Sequence, residues 1–325
     1  MAAGRRDSGE APRMTCMNED SYHSHPAISA SQIKAIATGT LRHYWADYVD
    51  PERPDRVETD AMRFGTQLHM LVLEPARFAE TYHLDLTPPD APRRPTARQL
   101  ESLGKSVPRE GTKAREEWER IAAAAVWWED WDASHPIPAG SEALSADRWR
   151  DLQGMAASLV RCPITGGLLT QSGAAEEALF WDDPDLGIPC RCKPDWLTSD
   201  GWVLDLKSTV SANPRRFRWQ AWDLGYDIQA WFYLRGIERA LGIRPQGFVF
   251  AAVEKRPPWV STPILATDAL LERGRGRAEL AVAQLLEAQR SGVWPGYLPD
   301  GQLADLDPPG DRDARPAADV EVELY

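Results

Sequence analysis

Apolar residues in this chain recur at two different periods, and the change comes near residue 173. Before it, helical spacing predominates. Ser29 and Ser31 are candidate N-caps for a short helix over 32–37, and Gly39-Thr40 leads into a second over 41–49 that Pro51 stops. Met62, Leu68, Leu71 and Val72 form an apolar stripe on a helix over 60–73, which Pro75 ends. A Pro-rich loop over 84–95 and a polar stretch to Arg115 precede a helix over 114–128. An acidic loop carrying Trp127, Trp128 and Trp131 is expected next, and then a helix over 145–160 with Ser145 as its cap.

After Gly173 the pattern turns β-like. Runs over 176–181, 188–197 and 202–209 are separated by Asp183-Pro184 and by Ser199-Asp200-Gly201. Two helices over 213–225 and 226–241 follow, then strands over 247–253 and 260–265, and a long helix over 267–290 closed by Gly292. Helices, then a β-meander, a helical pair, strands and a helix describe an α/β or α+β core behind a helical front section. The expected division is a flexible extension over 1–20, one domain over 21–298 (helical section 21–172, sheet core 173–298), and an acidic flexible tail over 299–325.

Composition narrows this picture. With 325 residues, 43% hydrophobic and 26% charged, the chain can bury a sizeable core and is neither collagenous nor mostly disordered. No apolar run approaches the ~18 residues of a membrane span, so the expected location is cytoplasmic, with no membrane partner. Cys16, Cys162, Cys190 and Cys192 are too few for a disulfide framework and read as reduced thiols. The net charge of −12 argues against a nucleic-acid partner, but the tail from Asp300 carries half of it. From Lys207 to Arg218 there are four cations, Lys207, Arg215, Arg216 and Arg218, and no acid.

The stretch that carries chemistry is Pro194-Asp195-Trp196, followed by Asp205-Leu206-Lys207. On the second strand Asp205, Lys207 and Thr209 share one face, and Leu204, Leu206 and Ser208 the other. Asp195 stands opposite Asp205 if the turn is centred on Asp200, which needs a loop of three or five residues or a bulge. A two-residue turn would put the acids on different faces. Two carboxylates so placed repel unless they share a cation, and an oxygen-rich site suits Mg²⁺ or Mn²⁺. Lys207 beside them can orient or deprotonate a water, or neutralise charge building on phosphorus, as in phosphodiester hydrolysis. The alternative is a solvated hairpin, although charges embedded in such apolar runs ask for a reason.

Several further segments join this one in a familiar order. They are Ile28-Ser29-x-Ser31, Phe64-Gly65-Thr66-x-Leu68-His69, Glu176 leading to Phe180-Trp181, Cys190-Arg191-Cys192-Lys193-Pro194-Asp195-Trp196, Asp205-Leu206-Lys207-Ser208-Thr209, Tyr226-x-x-Gln229-x-x-x-Tyr233, Phe248-Val249-Phe250 and Trp294-Pro295-Gly296-Tyr297. Across residues 21–298 the chain resembles the PD-(D/E)xK nuclease superfamily, and within it the RecE (exonuclease VIII) branch of the RecB-like nucleases. The resemblance implies an α/β nuclease core with a mixed central β-sheet flanked by helices, behind a helical N-terminal section. It implies a metal site of His69, Asp195, Asp205 and Leu206, with Lys207 as the catalytic lysine. It places Glu176 at the acidic position of the first core strand, with Glu177 as the alternative of opposite parity. Gln229 and Tyr233, on one helix face, would lie beside the site and hold Lys207 or the DNA backbone.

The resemblance also implies an activity: a Mg²⁺-dependent exonuclease that digests one strand of linear duplex DNA from its 5′ end. The 3′ single strand left behind would pass to a single-strand annealing protein in phage or prophage recombination. Related enzymes thread DNA through a ring, so a homo-oligomer is expected by analogy. Arg215, Arg216 and Arg218, interleaved with Phe217 and Trp219, are candidate DNA contacts or an ordinary solvated face. The fourteen tryptophans read mainly as core and interface residues. An endonuclease or single-strand-specific nuclease of the same superfamily, or a non-catalytic relative that keeps the site as scaffold, would share these motifs.

Overall fold

A computed structural model describes residues 19–54, 57–88, 90–298 and 301–305. The extension expected over 1–20 lies outside the described residues but for 19–20, and the acidic tail but for 301–305. The front section comprises α1 (Glu19–Ser24), β1 (Ile28–Ser29), α2 (Ala30–Thr38), α3 (Leu41–Tyr48), α4 (Asp60–Leu73), α5 (Pro75–Thr81), β2 (Tyr82–Leu84), α6 (Ala97–Leu103), α7 (Lys113–Ser134), β3 (Glu142–Leu144), α8 (Ala146–Arg161) and α9 (Pro163–Leu169). The sheet section follows with β4 (Gly173–Ala175), β5 (Leu179–Asp183), β6 (Ile188–Cys192), β7 (Trp196–Thr198), β8 (Trp202–Thr209), α10 (Pro214–Asp223), α11 (Tyr226–Leu241), β9 (Gly247–Glu254), β10 (Ser261–Leu265) and α12 (Asp268–Ser291). Among the described residues no helix is long and apolar enough to cross a membrane. The thiols of Cys162, Cys190 and Cys192 are free.

The central sheet is mixed, in the order β10-β9-β8-β7-β4, with β8 and β9 parallel and the other neighbours antiparallel. Both faces of β8 and β9 are covered, and the period-two alternation divides their side chains between two cores. Val203, Phe248, Phe250 and Ala252 face one core, which includes Ile228 and Phe232 of α11 and Ala278 and Val282 of α12. Leu204, Leu206, Val249, Ala251 and Val253 face the other, with Leu68 of α4 and Leu152, Met155 and Leu159 of α8. A smaller sheet, β1-β6-β5, lies beside the first core, and β2 pairs with β3.

The single run expected over 188–197 is two strands in different sheets, β6 and β7, with Lys193-Pro194-Asp195 between them. Pro194 has no N–H to give a ladder, so the strand breaks there. The first β run begins at Leu179 and not at 176, with β4 in front of it. Ser29 caps α2, where Gln32 Oε1 accepts from its N–H at 2.9 Å, and Ser31 lies inside the first turn. The loop expected to hold three tryptophans is helix: α7 continues to Ser134. Trp128 is buried there under the Arg94 guanidinium, 3.9 Å from its ring centre, and donates to Pro92 O at 2.8 Å. Trp127 and Trp131 stack one turn apart, 5.2 Å between centres. The Pro-rich loop therefore packs on this helix, a tertiary contact that local acidity does not reveal.

Two contacts fix α11, the helix that reaches the sheet's functional end. Buried Asp183, at the end of β5, accepts from Leu186 N at 2.9 Å and from Trp181 Nε1 at 3.1 Å, and pairs with Arg235 of α11. Burial opposes its charge, but Arg235 and these N–H donors hold its carboxyl well below the usual range. At Gly274, α12 rests on the backbone of α11: a Cβ would stand 2.0 Å from Asp227 O.

Asp183→Asn is expected to lose about 2 kcal/mol at pH 7, because half-buried Arg235 loses the buried one of its two carboxylate partners and keeps only exposed Asp185. Since the folded carboxyl titrates below the unfolded one, its stabilisation is complete above the ordinary pKa of about 4 and fades as pH falls below it. Urea denaturation of both proteins from pH 7 to pH 3 should show the gap narrowing. Gly274→Ala should lose about 1–3 kcal/mol in the same assay, through overpacking of α12 on α11.

Candidate functional site

The β7–β8 hairpin has a three-residue connection, Ser199-Asp200-Gly201, with Trp196 paired to Leu204 and Leu197 to Val203. That is the longer-loop register, and its extension sets Asp195 across from Asp205. The ladder stops at Trp196, however, while β8 runs on to Thr209. A strand residue points its N–H and C=O the same way, so beyond the last pair the main chain of β8 must find other partners. Leu206 finds them in side chains: its N–H donates to Asp195 Oδ2 at 2.7 Å, and its C=O lies 3.1 Å from His69 Nε2.

His69 reaches this edge from α4, on the opposite face from α11. Its Nδ1 stands 3.6 Å from Glu176 Oε1 and 3.6 Å from Asp195 Oδ2. Glu176 is not on a strand, contrary to the expectation for it; it follows β4 at φ 53°, with its N–H shared between Pro194 O and Asp195 O. This left-handed turn, unusual for a residue with a side chain, sets Glu176 beside Asp195. Its other oxygen takes Lys193 Nζ at 2.8 Å. Glu177 is not part of the cluster, and its Oε2 is buried without a hydrogen bond.

The side chains pull one another's protonation apart. Burial opposes charge on His69, but Asp195 and Glu176 outweigh it and raise the imidazole from 6.5 to about 9. Burial pushes the Asp195 carboxyl up, against the pull of His69, and Asp205 adds to the rise. Glu176 is held below its usual range by His69 and Lys193 in spite of burial.

Asp205 is fully buried on the α11 side of β8. Its Oδ2 is 2.6 Å from Lys207 Nζ, and its Oδ1 accepts from Gln229 Nε2 at 2.7 Å. Burial would lower the Lys207 ammonium, yet Asp205 raises it, so it stays charged at ordinary pH. Gln229 thus fixes the partner of Lys207 and not Lys207 itself. Tyr233, one turn further along α11, is half-buried against Phe248, and burial raises its hydroxyl well above the usual value. Arg215, Arg216 and Arg218 are exposed at the start of α10, just past β8.

His69, Glu176 and Asp195 offer ligand atoms that lie within 4.8 Å of one another. Asp205 is outside this group; its Oδ2 pairs with Lys207 and its Oδ1 accepts from Gln229. One imidazole, two carboxylates and the neighbouring Leu206 carbonyl form an oxygen-rich set that fits a hard divalent ion. Two residues here escape a reading of the sequence, Lys193 and Lys34. Lys193 could have been found, because it lies two positions before Asp195 on the same motif. Lys34 could not, because only the packing of α2 beside α11 brings it here.

A protein of Eubacterium rectale described as a candidate exonuclease has a solved structure similar to this one. The TM-score is 0.55 at 13% identity, over 91% of this chain and 97% of that one, which is a likeness of fold. An alkaline exonuclease of Laribacter hongkongensis aligns over 57% of this chain and 88% of its own, at 15% identity and a TM-score of 0.27, too distant to support an argument. No curated protein matches the sequence. Residues 29–303 match the family described as PDDEXK-like domain of unknown function (DUF3799), which spans the front section from Ser29 on, the mixed sheet and every side chain of the site. The chain belongs to that PDDEXK-like family.

Proposed function

We propose that this protein is a divalent-metal-dependent nuclease that hydrolyses phosphodiester bonds at the ends of linear duplex DNA, with Mg²⁺ as its ion and Mn²⁺ as a substitute. The observation that carries the reading is the convergence on one strand edge of His69, Glu176 and Asp195, with the Asp205–Lys207 pair beside them. His69, Asp195 and the Leu206 carbonyl would hold the ion, with Glu176 next to it; Asp205, the other expected ligand, is engaged by Lys207 and Gln229. The ion would supply Lewis-acid stabilisation of the phosphoryl oxygens and a more acidic bound water.

The protein's own groups do the rest. Lys207 stays charged, which suits orienting the attacking water and drawing charge from the phosphoryl oxygens better than accepting a proton. Gln229 and Asp205 keep its ammonium in place. Arg215, Arg216 and Arg218 present exposed cations for the DNA backbone. The finer assignments follow the RecE resemblance: 5′→3′ digestion, a 3′ strand handed to an annealing protein, a homo-oligomer threaded by DNA, and a cytoplasmic setting.

End-labelled linear duplex and covalently closed circles test this directly. With Mg²⁺, label should leave the 5′ end of the linear substrate first, the closed circle should stay intact, and chelation should stop the reaction. Nicking of the circle would convert the assignment to an endonuclease, and no release from either end with Mg²⁺ or Mn²⁺ would remove it. Lys207→Ala should lower kcat by about 10²–10³-fold with the far-ultraviolet circular dichroism unchanged. Activity that survives this substitution would contradict the role given to the ammonium.

A further inference from the structure

The cations at this site are not all matched by carboxylates. Lys207 pairs with Asp205 at 2.6 Å, and Lys193 with Glu176 at 2.8 Å. Lys34 of α2 is different. Its ammonium makes no ion pair or hydrogen bond among the described residues, and it stands 5.8 Å from the centre of the Tyr226 ring. The ammonium of Lys207 is 4.9 Å from the same ring centre, so two like charges flank one aromatic side chain.

The fold holds Lys34 there. Its stem runs over Gly225, where a Cβ would come within 2.9 Å of Lys34 Cγ and where φ is 64°. The acids that attract it are already committed: Asp205 to Lys207 and Gln229, and Asp227 to the Arg277 guanidinium at 2.9 and 3.0 Å. Burial, and then the charge on Lys207, lower its ammonium from 10.5 to about 8. A partly desolvated cation beside another cation is an unfavourable arrangement that an arriving anion relieves. The anion belonging to a phosphodiester-cleaving site is a phosphate of the substrate.

We propose that Lys34 binds a phosphate of the nucleic-acid strand being cut, as a second cation beside Lys207. This inference rests on the nuclease reading. A lysine that merely lays its stem on Gly225 and Tyr226 would act on stability and not on substrate.

Lys34→Met keeps the stem and removes the charge; Lys34→Arg keeps the charge. On linear duplex with Mg²⁺, Lys34→Met should raise KM about tenfold with a smaller change in kcat, the loss of one charge-assisted hydrogen bond. The slope of log affinity for duplex against log salt, read by fluorescence anisotropy with Ca²⁺, should fall by about one, and Lys34→Arg should restore both. A wild-type KM and salt slope in Lys34→Met overturns the proposal, as does a lowered melting temperature with binding unchanged. If the wild-type protein cuts no DNA the nuclease reading fails by itself, and the anisotropy comparison still decides whether Lys34 contacts a phosphate.

Discussion

The site depends on an early parting of two strands. β7 and β8 are paired only at Trp196–Leu204 and Leu197–Val203, and the chain before Trp196 is diverted by Pro194. β8 continues in parallel with β9 through Thr209, so its other edge opens beyond Leu204. An N–H and a C=O left unmatched in a buried sheet are costly, and here two ionisable side chains take them up. Asp195 accepts from the Leu206 N–H, and His69 meets the Leu206 carbonyl. The constraint that stabilises the sheet is therefore also what gathers an imidazole, a carboxylate and a carbonyl oxygen around one small volume.

Electrostatics then accounts for the state of that volume. Three carboxylates (Glu176, Asp195, Asp205) stand close to His69, Lys193 and Lys207. The His69 imidazole, raised to about 9 by Asp195 and Glu176 against the effect of burial, carries a proton beside these carboxylates. A divalent ion held by His69 in the proposed function would displace that proton, so its affinity would strengthen as pH rises. Lys207 does not take part in this exchange. Its charge is held by Asp205, which α11 fixes through Gln229, while Asp183–Arg235 and the Gly274 contact anchor that helix in turn.

Much of this was legible in the sequence because it is local. Strand parity sets Asp205 and Lys207 on one face and Leu204 and Leu206 on the other; the turn at Ser199-Asp200-Gly201 leaves two registers open, and the structure takes the one with the three-residue connection. The helical front section and the strand-rich core behind it follow from the alternation of periods, and the mixed order of the central sheet is what the nuclease resemblance implies. What stayed hidden depends on contacts between distant segments. Glu176 joins the cluster from a left-handed turn and not from a strand, and nothing in its neighbours announces a positive φ. The run over 188–197 looked continuous because its apolar residues outweigh one proline, yet it is divided between two sheets. Trp127, Trp128 and Trp131 sit in a helix whose acidic face suggested a loop, because the covering segment around Pro92 and Arg94 lies more than thirty residues earlier. Lys34 needed the packing of α2 against α11 before it had any meaning.

The most direct test of this account is an anomalous difference map from crystals of the protein grown with Mn²⁺. The account predicts a single strong peak bounded by the His69 imidazole, the Asp195 carboxylate and the Leu206 carbonyl, with Lys207 alongside. Manganese bound elsewhere, or absent from that position at saturating concentration, would contradict it.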